Sequence, residues 1–233
     1  MANNHFILNE FASKEELVDT LAEKILYELD LAIQEKGHAS LALSGGSTPK
    51  KLFVALSNSD FAWERVTVTL VDERWVDPLS EQSNEKLLKE YLLQNYAAKA
   101  KFIPLKSHLA RAKEALAALE IILGEFIKHL DVVVLGMGED AHTASFFPNA
   151  EELDFALNTK DLCCATTASH EPKERITLSR LFLLGANSLL LHIEGQKKKE
   201  IFLNAAKSDD TKMMPIIAMM QQTNPLLEVY YAD

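Results

Sequence analysis

Short, continuous apolar runs separated by helical stretches constrain this chain more than any other feature. SLALS (40–44), VTVTLV (66–71) and DVVVLG (131–136) lack the strict alternation of a strand with one face in water, so both faces must be covered. Between them the periodicity turns helical. Leu17, Leu21, Ile25, Leu29 and Ile33 follow an S-x-x-E capping box at Ser13–Glu16 and stop at Gly37. SNEKLLKEYLLQNY (83–96), LARAKEALAALEIILGEFIKHL (109–130) and KKKEIFLNAAK (197–207) read as further helices, and LCCATTA, RITLS, SLLLHI and EVYY as further strands. The alternation predicts an α/β fold, a mostly parallel sheet with helices on both faces. No linker or repeat divides the 233 residues, so a single domain over 1–233 is expected.

In such a sheet, ligands collect outside the carboxyl ends of the strands. Three runs end there in polar loops, SGGSTP, DERW and GMGEDAHT, which are expected to share one site. Ser44, Gly45, Gly46, Ser47 and Thr48 have the makings of an anion cradle: glycines allow close backbone approach, and Thr48-Pro49 reads as an N-cap with proline at the first helical position. The alternative is an ordinary strand-to-helix turn. No G-K-[ST] follows, so it is not a Walker A loop. A nucleophile elbow at Ser44 is disfavoured, because that elbow normally follows several strands. DERWVDPLSEQ reads as a long polar loop in which Asp72 and Glu73 can orient a ligand and Arg74 can pair with phosphate or carboxylate; a solvated charge run is the alternative.

Gly136, Gly138 and Ala141 loosely match a dinucleotide fingerprint, but Pro148 cuts short the helix that motif opens, and no acidic residue ends the next strand. His142 is better read as an acid/base group at the start of a helix, with Glu139 and Asp140 beside it; a capping or core histidine is the alternative. The seven histidines show no ligand spacing, so no metal is expected.

Lys and Arg total 24 against 34 Asp and Glu, a net charge of −10, which opposes nucleic acid or an anionic membrane as partner. An anionic ligand must be held locally. No apolar run approaches the ~20 residues of a membrane span, and MANNHFILNE lacks the features of a leader, so a cytoplasmic protein is expected. Cys163 and Cys164 are adjacent, too close for the usual disulfide, and read as reduced thiols on a strand.

LALSGGSTPKKLF, VTLVDERWV with SNEKLL, DVVVLGMGEDAHTASFFP and ERITLSRLFLLGANSLLLHIEG resemble, in order and spacing, the blocks of the 6-phosphogluconolactonases. The resemblance covers about residues 40 to 203. It implies hydrolysis of 6-phosphoglucono-δ-lactone without metal or organic cofactor, on the Rossmann-like fold shared with glucosamine-6-phosphate deaminases and ribose-5-phosphate isomerases. It puts the general base on His142 and the glycine turn on Gly45, Gly46 and Ser47. Basic ligands of the substrate fall on Arg74, Arg175 and Lys198, and Gly138 and Asp140 belong to the same blocks. The implied partner is a small sugar-phosphate lactone, bound by a monomer or small homo-oligomer. Two departures stand out. Ala141 replaces the usual glycine, which costs about 1–2 kcal/mol if φ is positive, and SHEPKERIT lacks the fuller proline run. An amino-sugar-phosphate deaminase or isomerase typically shows DEY and GHIAFNEP at the places of DERW and AHTASFFP here. A non-catalytic sugar-phosphate sensor would commonly carry a further domain, for which MANNHFILNEFAS is too short.

Overall fold

The computed structural model describes residues 5–233; Met1–Asn4, the start of the stretch read as lacking a leader, lie outside it. Helix α1 (Lys14–Lys36) begins where its capping box directs. Ser13 Oγ accepts from the Glu16 N–H at 3.1 Å and the Ala12 N–H donates to Glu16 Oε2 at 3.0 Å. Gly37, at φ 82°, closes the helix by donating its N–H to the Ile33 carbonyl. The stripe read from the sequence, Leu17 to Ile33, is its buried face.

The strands are β1 (Phe6–Glu10), β2 (Ala39–Leu43), β3 (Val66–Leu70), β4 (Asp72–Arg74), β5 (Lys101–Ile103), β6 (Val132–Leu135), β7 (Cys163–Thr167), β8 (Glu174–Leu178), β9 (Ser188–Glu194) and β10 (Leu227–Ala232). The helices after α1 are α2 (Lys50–Ser57), α3 (Asn84–Tyr91), α4 (Ala112–Phe126), α5 (Leu153–Asn158), α6 (Arg180–Leu184), α7 (Gln196–Ala205) and α8 (Ile217–Met220). Seven strands make one all-parallel sheet in the order β1-β10-β9-β6-β2-β3-β5. Every residue of β2 and β6 is buried, as their apolar runs demand. From β2 the chain moves outward through β3 to β5 and then returns to β6 on the other side of β2. The strand order therefore reverses between β2 and β6, and a crevice opens at their carboxyl ends.

At the opposite end the buried Asp131 carboxylate fastens the same strands. It accepts from the Ser40 N–H at 2.7 Å, Ser40 Oγ at 2.9 Å, Asn187 Nδ2 at 3.1 Å and Lys36 Nζ at 2.7 Å. Four donors, one of them a cation, offset the desolvation that an isolated buried charge would suffer.

A smaller antiparallel sheet, β4-β8-β7, sits beside the large one. It corrects the reading of DERWVDPLSEQ as loop throughout, since Asp72–Arg74 pairs with β8 as a strand. RITLS and LCCATTA belong to this sheet and not to the parallel one. The short edge strands β1 and β5 gave no clear apolar signal, being only partly buried. The helices of the three longer readings are shorter than their sequence windows; α3 starts at its Ser83 cap, α4 ends at Phe126, and α7 stops before Ala206. Cys163 and Cys164 are buried and unbridged, and burial pushes both thiols up, Cys164 to about 12. Among the described residues no helix is long and apolar enough to cross a membrane.

Glu73 joins the two layers. Its fully buried carboxylate accepts from Arg74 N at 2.7 Å and Asn84 N at 2.8 Å through Oε1, and from Ser83 Oγ at 3.0 Å and Glu85 N at 2.7 Å through Oε2. Burial pushes its pKa up against these hydrogen bonds, but four donors and no acceptor leave no place for a proton. It caps α3 and holds β4 against it. Glu73→Gln turns an amide NH2 toward at least one backbone N–H, that of Glu85 in one orientation or those of Arg74 and Asn84 in the other. It should cost about 2–4 kcal/mol, lowering the thermal unfolding midpoint by roughly 5–10 °C; an unchanged midpoint removes this role.

Candidate active site

The glycine turn leaves β2 at Ser44, whose N–H still donates to the Val134 carbonyl of β6 at 2.9 Å. After that the ladder ends. The N–H groups of Gly45, Gly46, Ser47 and Thr48 find no acceptor within the described chain, and the turn runs straight into α2. Four free donors at a helix start form a concave anion-binding backbone. The cap differs from the reading by one residue: Pro49, not Thr48, is the flanking residue, it has αR dihedrals, and no side chain caps α2. Gly45 is required by contact. A Cβ there would stand 2.0 Å from Oδ1 of Asn84, a buried residue fixed by its own N–H to Glu73 and by Nδ2 to the Asp72 carbonyl at 2.9 Å.

The histidine loop follows β6. His142 does not start a helix, which corrects that reading; residues 136–150 form successive turns, and the next helix is α5. The loop is laced instead by hydrogen bonds. Gly138 N donates to His142 O at 2.9 Å, Ala141 N to Gly138 O at 3.1 Å, and Thr143 Oγ1 to Gly136 O at 2.8 Å. The imidazole lies against Gly138, where a Cβ would come within 2.2 Å of the ring. Its Nδ1 sits 2.5 Å from Asp140 Oδ1. Burial opposes the Asp140 carboxylate, but the hydrogen bond and charge of His142 outweigh it and hold its pKa below the usual range. An ionised Asp140 accepts Nδ1–H, which leaves Nε2 as the basic nitrogen. Phe147 packs on the ring at 4.9 Å. Asp72 ties the loop to β4 by accepting from Ser145 Oγ at 2.6 Å.

Between the two loops lies a cavity of about 210 Å³, far larger than the ~30 Å³ share of a water molecule. Ser44, Gly45, Gly46, Ser47, Thr48, Asp72, Arg74, Gly138, His142 and Lys198 all line it. Arg74 reaches it while Nη1 donates to the Gln82 carbonyl at 2.7 Å. Of the run Lys197–Lys199, Lys197 pairs with Glu139 and Lys199 with Glu10, so only Lys198 faces the cavity. Burial pulls the Lys198 pKa down, and it has no carboxylate within 4 Å among the described residues.

Three expected site residues stand behind the wall. Glu73 is consumed by capping α3, a correction to its reading as a ligand group. Asp140 acts on the cavity only through His142. Arg175 is 2% exposed and directly opposite Arg74 across the β4–β8 pair, with Nε and Nη1 unpartnered. Burial first, then the charge of Arg74, lowers its pKa. Among the described residues no group of three or more His, Cys, Asp or Glu is placed to hold a metal ion.

Residues 12–227 match the family described as glucosamine-6-phosphate isomerases/6-phosphogluconolactonase. The chain belongs to that family. A 6-phosphogluconolactonase of Rhizobium meliloti is 42% identical over 233 residues, covering 99% of each chain. A solved 6-phosphogluconolactonase of Shewanella baltica superposes with TM-score 0.97 at 40% identity, covering 100% of each chain. A monomeric glucosamine-6-phosphate deaminase, at 16% identity and TM-score 0.79 over 97% of each chain, shares the fold alone. Within the family frame, two polar cavity residues escaped the sequence reading, Asn84 and His192. Asn84 hides behind its helix-cap neighbour Ser83. His192 interrupts an otherwise apolar strand, a signal that was available in SLLLHI.

Gly45→Ala should push the Asn84 amide off the Asp72 carbonyl, because the new Cβ meets Oδ1 while the Asn84 backbone is held by Glu73. The expected loss is about 1–3 kcal/mol of stability, seen in a denaturant titration; a variant as stable as the parent shows that the turn yields without strain.

Proposed function

We propose that this cavity hydrolyses 6-phospho-D-glucono-1,5-lactone to 6-phospho-D-gluconate, the second step of the oxidative pentose phosphate pathway, in the cytoplasm and without a cofactor. Full-length likeness to 6-phosphogluconolactonases supports the activity. The observation that carries the chemistry is the Asp140–His142 pair standing across one cavity from four unpaired turn N–H groups.

The phosphate occupies the turn, where N–H donors, Arg74 and Lys198 hold its charge. His142 Nε2 takes a proton from water as the oxygen attacks the lactone carbonyl carbon. The carbonyl π electrons move to oxygen, and the oxyanion is stabilised by the cationic wall. When the carbonyl re-forms, the bond to the ring oxygen breaks, and the imidazolium returns its proton to that oxygen as the ring opens. Asp140 keeps the ring in the required tautomer and steadies the transient cation.

His142→Asn should lower kcat by about 10²–10⁴-fold, measured on freshly generated lactone with spontaneous hydrolysis subtracted; a folded variant with near-normal turnover sinks the assignment. Asp140→Asn should lose less, about 10–10²-fold, mainly in kcat.

Arg74→Ala should raise KM for the phosphorylated lactone by about tenfold or more and leave the rate on unphosphorylated gluconolactone alone. Equal effects on both would remove Arg74 from phosphate binding.

A further inference from the structure

His192 is the one polar side chain in the run Leu189–Ile193 of β9, and it is 2% exposed. It forms part of the cavity wall with His142, Lys198 and Gly136. Neither ring nitrogen makes a well-formed hydrogen bond within the chain. Nε2 lies 3.2 Å from Glu194 Oε1 but bent off the hydrogen-bond direction, and Glu194 is in turn 3.3 Å from Lys14 Nζ. The neighbouring strands offer nothing better. Its register partner on β10 is Tyr230, whose hydroxyl is directed to Glu228 at 3.4 Å, and on the β6 side the adjoining residue is Gly136, which has no side chain. A histidine kept only for packing would have its polar atoms engaged.

The tautomer follows from Glu194. A carboxylate 3.2 Å from Nε2 repels a lone pair there, so Nε2 carries the proton and Nδ1 is left as an acceptor. A buried acceptor needs a donor. A phosphate dianion and a lactone carbonyl have no proton to give, whereas a sugar hydroxyl does.

We propose that His192 is a substrate-binding residue whose Nδ1 accepts a hydrogen bond from a ring hydroxyl of the sugar lactone, with Glu194 and Lys14 behind it fixing the tautomer. This rests on the lactonase reading and names the part of the cavity that recognises the sugar and not the phosphate.

The test compares the wild-type protein, His192→Phe and His192→Asn on 6-phosphogluconolactone and on phosphorylated lactones in which each ring hydroxyl is replaced by hydrogen in turn. His192→Phe keeps a flat ring and should lower kcat/KM about tenfold. His192→Asn, which can place an amide oxygen near the Nδ1 position, should recover part of that loss. On one deoxy analogue, and only one, wild type and His192→Phe should perform alike. Ratios between substrates are taken within each protein, so a lower folded fraction cancels. Equal kcat/KM for wild type and His192→Phe on the parent lactone, or the same loss on every analogue, overturns the proposal while leaving the lactonase reading intact. Wild type without turnover on the parent lactone ends the lactonase reading itself.

Discussion

The buried Glu73 carboxylate is the constraint on which the site depends. It sits where the parallel sheet hands over to the small antiparallel one, and its four donors come from the arginine strand and from the first turn of α3. By gathering them it fixes Asn84, which in turn fills the space that Gly45 leaves open. Asp72, one residue earlier, reaches the histidine loop through Ser145. Two adjacent acids thus position both loops, Glu73 with its whole carboxylate engaged and Asp72 through one oxygen while it still lines the cavity. Glu73, read as solvated or as ligand-binding, is scaffold, because a buried anion surrounded by donors is a rigid joint.

The electrostatics of the cavity run against those of the whole molecule. A net charge of −10 repels an anion at long range. Locally, Arg74, Arg175 and Lys198 stand without close carboxylate partners among the described residues, and burial or mutual repulsion weakens the charged form of Arg175 and Lys198. Like charges directly opposite on paired strands are destabilising. Such an arrangement leaves the free protein with unfavourable electrostatic energy, which the phosphate of the proposed substrate would relieve. Arg175 lies behind the wall, directly opposite Arg74 on the paired strands.

Much of this was legible in the sequence because the signals were local. The capping box, the helically spaced apolar stripe of α1, the apolar runs of β2 and β6 and the two glycine loops each depend on near neighbours. What escaped depended on distant partners. β1 and β5 are short edge strands whose identity comes from the strand beside them. Asp72–Arg74 becomes a strand only because β8 lies alongside. Asn84 and His192 enter the cavity through α3 packing under the turn and through sheet register, neither of which has a sequence period. His142 reads as a helix start because turns rich in small polar residues and helix starts share their residue preferences.

Ala141 shows how the loop tolerates a departure that looks unfavourable in isolation. Its φ is 64°, and Ala144 follows at 50°, both in the left-handed region. Each costs about 1–2 kcal/mol relative to a glycine in the folded loop. Glycine, however, has more unfolded-state freedom to lose, roughly 0.5–1 kcal/mol, and Ala141 buries its methyl at 1% exposure, worth about another 0.8 kcal/mol. The opposing contributions nearly cancel. What remains is conformational restriction: Ala141 is bonded through its N–H to Gly138 and through its carbonyl to Ile216, so the strained dihedral is over-determined on both sides. A loop built this way has fewer alternative conformations than a glycine loop. That restriction acts one residue before His142, where an orientation error would detach the imidazole from Asp140 or turn Nε2 out of the cavity.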